Sequence, residues 1–471
     1  MSQPVAESTA ASLTSPTSAF GQLAHLPAVP LDPAVGVYDV RFGFAYPTEY
    51  STWKDEVLSW KTSAYLHGGL NPTQTYRIHG PDALRLLSEH CVNSMANFRV
   101  GTSKHAIMCD DEGRVMVHGV LVRRGEDDFY TYWLMPWINY LAEELDYDVQ
   151  VEDLTGKVYL FQLAGPRSLE IIESASKTDL RDVKFLHERR VRIGETDTEV
   201  HPVEVLRIGM AGSLAYELHG PIEDAHRVYN ALLGAGKEFG LRRLGREQYN
   251  MNHTENGFPQ EHVHFIHPWF EHEGLVRYLQ AKRPGARLPH PSLYGSAGDD
   301  PQLRYRNPLE LGWGHVVKFD HEFQGRAALE RLAAEPERVM RTLVWNAEDV
   351  LDVYRSHLEQ GEEYKFMRFQ GEPLNREVVA ANFSDVVLKD GVTVGVSSGR
   401  IYSYYYRQMI SLVSIDVAQA ELGTEVVVLW GEPGTRQKEI RATVQRFPFY
   451  DENRNEKIDT SIIPLPSGVE K

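Results

Sequence analysis

One pattern occurs three times and limits what this chain can fold into. An extended segment runs into Gly-Pro, and a helical pattern follows. The first copy is Thr75-Tyr76-Arg77-Ile78-His79, then Gly80-Pro81, then a helical run over residues 82–87. The second is Val158-Tyr159-Leu160-Phe161-Gln162-Leu163, then Gly165-Pro166, then residues 168–172. The third is Ala215-Tyr216-Glu217-Leu218-His219, then Gly220-Pro221, then a longer helix. That helix carries Ala225, Val228, Leu232, Ala235 and Phe239, an apolar stripe at helical spacing. Proline suits the first helical turn because its missing N–H would have no partner there. Strand-to-helix units repeated in this way predict an α/β or α+β domain.

The C-terminal third reads differently. Val392-Thr393-Val394-Gly395-Val396 and Glu425-Val426-Val427-Val428-Leu429-Trp430 have strand composition, with glycine turns around them. Few helical stripes follow residue 385, so a small β-barrel or sandwich is expected there. At 471 residues the chain is too long for one ordinary core. We divide it into a flexible, Ser-, Ala-, Thr- and Pro-rich arm (1–35), a catalytic domain (36–335) and a β-barrel-like domain (336–471).

Charge and cysteine content exclude several classes of function. A net charge of −17 without a basic cluster repels phosphate backbones, so a nucleic-acid partner is not expected. Two cysteines, Cys91 and Cys109, leave no disulfide framework and no four-thiolate zinc site. No apolar run approaches the roughly 18 to 20 residues that span a bilayer. The first basic residue is Arg41, so the start lacks a secretory pattern. These features predict a cytoplasmic protein without a membrane partner; they leave the number of subunits open.

The most informative segment is Arg207-Ile208-Gly209-Met210-Ala211-Gly212-Ser213-Leu214-Ala215-Tyr216-Glu217-Leu218-His219-Gly220-Pro221. Two glycines allow a close approach of backbone to a ligand. A strand carboxylate, Glu217, can accept two parallel hydrogen bonds from a planar donor pair. A pterin presents such an edge, a ring N–H beside an exocyclic amine. The segment resembles the arginine, glycine, glycine, glutamate signature of the glycine-cleavage T-protein (aminomethyltransferase) family. Two further stretches resemble that family in order: Asn307-Pro308-Leu309-Glu310-Leu311-Gly312-Trp313-Gly314 with the following residues 317–329, and Val394-Gly395-Val396-Ser397-Ser398-Gly399. The resemblance implies an α+β fold: a folate-binding domain built from the strand–helix units, then a C-terminal β-barrel. It implies tetrahydrofolate as cofactor, held mainly by Glu217, with Gln162, Arg207 and Phe258 around it.

Within the family the closest resemblance is to the bacterial tetrahydrofolate-dependent vanillate, 3-O-methylgallate and syringate O-demethylases. It rests on Lys318-Phe319-Asp320-His321-Glu322-Phe323, Val344-Trp345-Asn346-Ala347-Glu348-Asp349 and Val428-Leu429-Trp430-Gly431-Glu432. This implies an enzyme that moves a methyl group from a small methoxylated aromatic compound, of the lignin-derived type, to tetrahydrofolate. The products are 5-methyltetrahydrofolate and a phenol. By the same resemblance Tyr249 and Tyr46 are active-site tyrosines. His118 stands where aminomethyltransferases carry an acidic residue, and we place it with them; a structural histidine is the alternative. A phenolate leaves poorly from an apolar site unless it is hydrogen-bonded or protonated. Tyrosine, with an ordinary pKa of about 10, is matched to that task.

Two features depart from the demethylases. The stretch Phe129-Tyr130-Thr131-Tyr132-Trp133-Leu134-Met135 lacks the arginine that grips a substrate carboxylate there. The glutamine and histidine of their substrate pocket correspond to Gly69-Leu70-Asn71-Pro72. The substrate half of the site is therefore rebuilt. Alternative readings are an aminomethyltransferase, a folate-dependent demethylase of an amine or sulfonium donor, and a non-enzymatic folate-binding factor. Finally, His262, His264, His267 and His272 lie among Glu261, Glu271 and Glu273. Such a cluster fits a surface, a pocket-lining loop or a metal site. With no His-Glu-x-x-His and no thiolate pair, we assign no metal.

Overall fold

The computed structural model describes residues 24–469 except 33, 36, 42–43, 197, 210–211, 283–289, 374, 377–378 and 453. All three strand–helix units form. The strands are Thr75–His79, Val158–Ala164 and Ala215–Pro221, and the helices are Ala83–His90, Ser168–Ser176 and Ala225–Gly236. In the third unit Pro221 ends the strand, and a short 3-10 turn, Ile222–Asp224, precedes the helix.

The units are divided between two sheets. The second and third strands sit in a six-stranded sheet in the order Glu188–Gly194, Val200–Leu206, Ala215–Pro221, Val158–Ala164, Ala64–His67, Leu241–Arg243. The first strand belongs to a five-stranded antiparallel sheet with Thr102–Cys109, Val115–Arg123, Asp128–Tyr132 and Gln150–Asp153.

Alternation along the six-stranded sheet separates core from site. Directly paired residues share a face of a sheet, and the face alternates along each strand. Tyr159, Phe161, Leu163, Tyr216 and Leu218 form one face and pack with Leu169, Ile172, Val228 and Leu232 of the two helices. The opposite face carries Leu160, Gln162, Glu217 and His67. The pairings Gln162–Glu217 and Gln162–His67 put those last three side chains in one row across three strands.

The expected barrel is present. Arg338–Trp345, Val379–Lys389, Val392–Ser403, Gln408–Asp416, Glu425–Trp430 and Lys438–Gln445 pair in a closed antiparallel ring of six strands. Closure removes the unpaired edges that an open sheet would leave.

Two sequence boundaries differ from the structure. The arm expected over residues 1–35 lies outside the described residues as far as residue 23. From Ala24 onward it is packed: Ala24–His25 pairs with Phe44–Glu49, and Leu26, Ala28 and Val29 are buried in the main core. Burial of those apolar side chains outweighs the loop-like composition of the segment. After the last barrel strand, the chain also returns to the first half of the molecule. There Asn455 donates to the carbonyl of Ala215 at 3.0 Å.

Candidate active site

The helix Arg246–Glu255 is nearly all polar in sequence, yet Arg246, Gln248, Tyr249, Met251, Asn252, His253, Thr254 and Glu255 are buried. Burying polar side chains is costly unless each finds a partner. Most do. Glu255 accepts from the Trp60 indole at 2.9 Å and also from Lys61 and Ser403. Asn252 donates to the Tyr65 hydroxyl at 3.0 Å, which donates on to Gln162 Oε1 at 2.6 Å. The helix is thereby fixed across the polar face of the six-stranded sheet.

Between that helix and the two sheets lies a cavity. The six-stranded sheet contributes His67, Leu160 and Glu217, and the five-stranded sheet contributes His118, Gly119, Val120 and Tyr132. Arg246, Tyr249, Asn250 and His253 come from the helix, and Phe258, Gln260, Glu261 and His262 from the loop after it. Tyr46 closes another wall.

Glu217 is 3 % exposed, and its Oε2 has no hydrogen-bond partner among the described residues. The nearest basic atom is His219 Nε2 at 3.5 Å. A buried carboxylate oxygen in this state is costly until a donor reaches it. Beside it, the rings of His67 and Tyr249 are stacked with centroids 4.2 Å apart. His67 Nδ1 lies 2.9 Å from the carbonyl of Leu244. That contact requires a proton on Nδ1, so Nε2 is a bare acceptor; it is buried and unpartnered among the described residues. Burial pushes His67 and His253 each down to about 4. Both rings are therefore neutral at physiological pH. Gly69 is required beside them, since a Cβ there would meet His67 Cε1 at 2.7 Å.

Residues 34–264 match the family described as the GCVT N-terminal domain. The chain is 41 % identical over 435 residues to the sesamin methylene transferase of Sinomonas sp. (strain No.22), covering 90 % of this chain and 95 % of that protein. The chain belongs to the glycine-cleavage T-protein family. It is also 32 % identical over 428 residues to the syringate O-demethylase of Sphingobium sp. (strain NBRC 103272 / SYK-6), covering 86 % and 89 %. The glycine cleavage aminomethyltransferase T of Bartonella henselae has the same fold, with a TM-score of 0.63 at 17 % identity over 89 % of this chain and 96 % of that one. This T-protein family member is an enzyme. Among its described residues, no helix is long and apolar enough to cross a membrane.

The structure of this T-protein relative brings Tyr46, His118, Glu217, Tyr249 and Phe258 together at the cavity. Gln162 lies beneath it, in the row between His67 and Glu217. Its amide is near the Tyr249 hydroxyl without a well-formed hydrogen bond.

Arg207 does not reach the cavity. Its guanidinium donates to the Asn455 side chain at 3.2 Å, to the carbonyls of Asn455 and Ile458 at 2.8 Å each, to Val183 at 3.1 Å and to Thr460 at 3.2 Å. One glycine of the same signature serves that purpose too, while Gly209 packs closely on Ala215. Gly212, at φ +85°, leaves room for the Arg454 guanidinium, and its carbonyl accepts from the Asn455 N–H at 2.7 Å. Among the described residues of that signature only Glu217 lines the cavity, while Arg207 and Gly212 hold the C-terminal tail.

Two further roles change. The Tyr46 hydroxyl donates to the carbonyl of Asn71 at 2.7 Å, so its proton is engaged and the residue acts as a wall. The Tyr249 hydroxyl is not matched to a phenol. Burial, and then the charge of Glu217, hold it well above the usual tyrosine range.

The sequence reading also missed His67 and Arg246. Arg246 packs its guanidinium over the Tyr46 ring at 5.5 Å, and its Nε is buried without a partner among the described residues. It is three residues from Tyr249, so helical spacing alone could have placed both on one face.

Proposed function

We propose that this enzyme binds tetrahydrofolate in the cavity and transfers to it the methyl group of a small methoxylated aromatic compound of the lignin-derived type. The observation that carries this reading is Glu217, whose buried carboxylate oxygen has no hydrogen-bond partner among the described residues and faces an aromatic-walled cavity. A pterin edge supplies the paired N–H donors it lacks. Phe258 and the His67–Tyr249 stack give flat surfaces for planar rings.

Tetrahydrofolate supplies a nucleophilic nitrogen that accepts the carbon. The protein's own part is to align donor and acceptor, exclude water and stabilise the departing oxygen. Tyr249 is suited to the last task. Because its proton is held tightly, it donates a hydrogen bond to the developing phenolate rather than giving the proton up. His67 Nε2 can accept from a neighbouring phenolic hydroxyl on the donor. Arg246 offers a charge for an aromatic carboxylate, a grip that the sequence lacked at residues 129–135.

A second reading is favoured by the 41 % identical relative, whose name assigns it methylene transfer from sesamin. Under that reading the carbon moved is a methylene. Incubation with tetrahydrofolate and a panel of methoxybenzoates, methoxyphenols and methylenedioxyarenes separates the two. The first reading predicts 5-methyltetrahydrofolate and one equivalent of demethylated phenol. Formation of 5,10-methylenetetrahydrofolate from a methylenedioxyarene alone would replace it with the second. No folate product from any donor would reject both.

A further inference from the structure

The loop after the buried helix carries Glu261 and His267 toward His118, which comes from the neighbouring sheet. One ligand atom from each of the three lies within 4.8 Å of the other two. His267 Nε2 is 3.5 Å from Glu261 Oε2. Two ligands of a tetrahedral zinc ion, with bonds of about 2.0–2.1 Å, sit about 3.4 Å apart. His118 and His267 are only 7 % and 6 % exposed. His118 Nε2 and both ring nitrogens of His267 have no hydrogen-bond partner among the described residues.

The surroundings favour a ligand at that point. The His118 ring is packed among Trp313, Phe265 and Phe258, with centroids 4.7, 5.7 and 6.1 Å away, and none of them hydrogen-bonds its Nε2. Its Nδ1 lies 3.2 Å from His105 Nε2. In metal-bound histidines an outer contact of this kind fixes the ring and leaves the other nitrogen bare for the ion.

We propose that His118, His267 and Glu261 bind a first-row divalent transition ion at the edge of the cavity. Two imidazoles and one carboxylate form the donor set of open zinc and iron(II) sites, in which protein ligands occupy one side only. His118 and Glu261 both line the cavity, so the open position faces it. Water or an oxygen of a bound ligand can occupy that position. The proposal is independent of the folate reading and is tested without folate.

Chelator-treated protein is titrated with zinc(II) by calorimetry and with cobalt(II) by visible absorption. The expected result is one ion per chain and a cobalt spectrum of low coordination number. His267→Ala and Glu261→Gln each remove one of three ligands and should weaken binding by at least about 100-fold; His105→Ala removes only the outer contact and should cost about 10- to 100-fold. Circular dichroism checks that each variant is folded. Should His267→Ala fail to fold, the partly exposed Glu261→Gln decides the question alone. No ion bound at one equivalent, an order of effects with His105→Ala the largest, or an ion that binds Glu261→Gln as tightly as the parent would overturn the site; the last result would assign the ion to other histidines.

Discussion

The rings of His67 and Tyr249 lie 4.2 Å apart with their planes 4° from parallel, one from a strand of the six-stranded sheet and one from the buried helix. The stack joins an acceptor, His67 Nε2, to a donor, the Tyr249 hydroxyl, on one wall of the cavity. Its two members can be tested separately.

Tyr249→Phe removes one hydroxyl and little volume, so folate and donor should still bind. Turnover should fall by about 10²- to 10³-fold, the scale for losing one hydrogen-bond donor aimed at a developing oxyanion. The loss should fall on kcat more than on KM, because the interaction strengthens in the transition state. Nitro-substituted methoxyarenes have better leaving groups and should lose less. Rate measurements across a series of leaving groups check this; equal losses throughout would reduce Tyr249 to a packing role.

His67 gives a pH signature in stability. The unfolded ring titrates near 6.5 and the folded ring near 4. Between those values the unfolded chain binds the extra proton, so stability falls as pH falls. The contribution is complete above about pH 6.5 and lost near pH 4. It amounts to about 3 kcal/mol. His67→Asn keeps a donor for the Leu244 carbonyl and removes the titrating ring. In urea unfolding, its drop in stability from pH 7 to pH 4 should be smaller than the parent's by about that amount. Equal drops would mean that the His67 ring is not held neutral in the fold.

Arg207 should matter for stability and not directly for ligand. Arg207→Ala leaves the carbonyls of Val183, Asn455 and Ile458 short of a buried donor. The cost should be roughly 3 kcal/mol or more. Below the unfolding transition, tetrahydrofolate affinity should stay within a few-fold of the parent. A large affinity loss with unchanged denaturation would put Arg207 back in the cofactor site.

Local pattern in the sequence accounts for much of the fold. The strand of Gln162 alternates large apolar residues (Tyr159, Phe161, Leu163) with the residues that face the helix Arg246–Glu255, and that alternation survives folding unchanged. Glu217 stands out in the sequence by the family motif, and alternation with Tyr216 and Leu218 turns it away from the core toward the cavity. Arg207 misled because it shares a sequence motif with Glu217, while its partners, Asn455, Ile458 and Thr460, lie some 250 positions later. No local spacing carries a contact of that kind. His118 and His267 were each visible as histidines, but they meet only where the five-stranded sheet and the loop after the buried helix converge. His67 carries no local signature: its stacking partner, Tyr249, lies on another element, and only a glycine two residues on, Gly69, leaves room for its ring.

The proposed anchor for tetrahydrofolate is the Glu217 carboxylate. Calorimetric titration of tetrahydrofolate into the parent and into Glu217→Gln tests it most directly. Glutamine keeps the volume and removes the charge that would pair with the pterin donors. The parent should bind, and the variant should lose on the order of 2–5 kcal/mol, the usual cost of breaking a buried charge-assisted contact. A parent that does not bind tetrahydrofolate, or a folded Glu217→Gln that binds it equally well, would contradict the account.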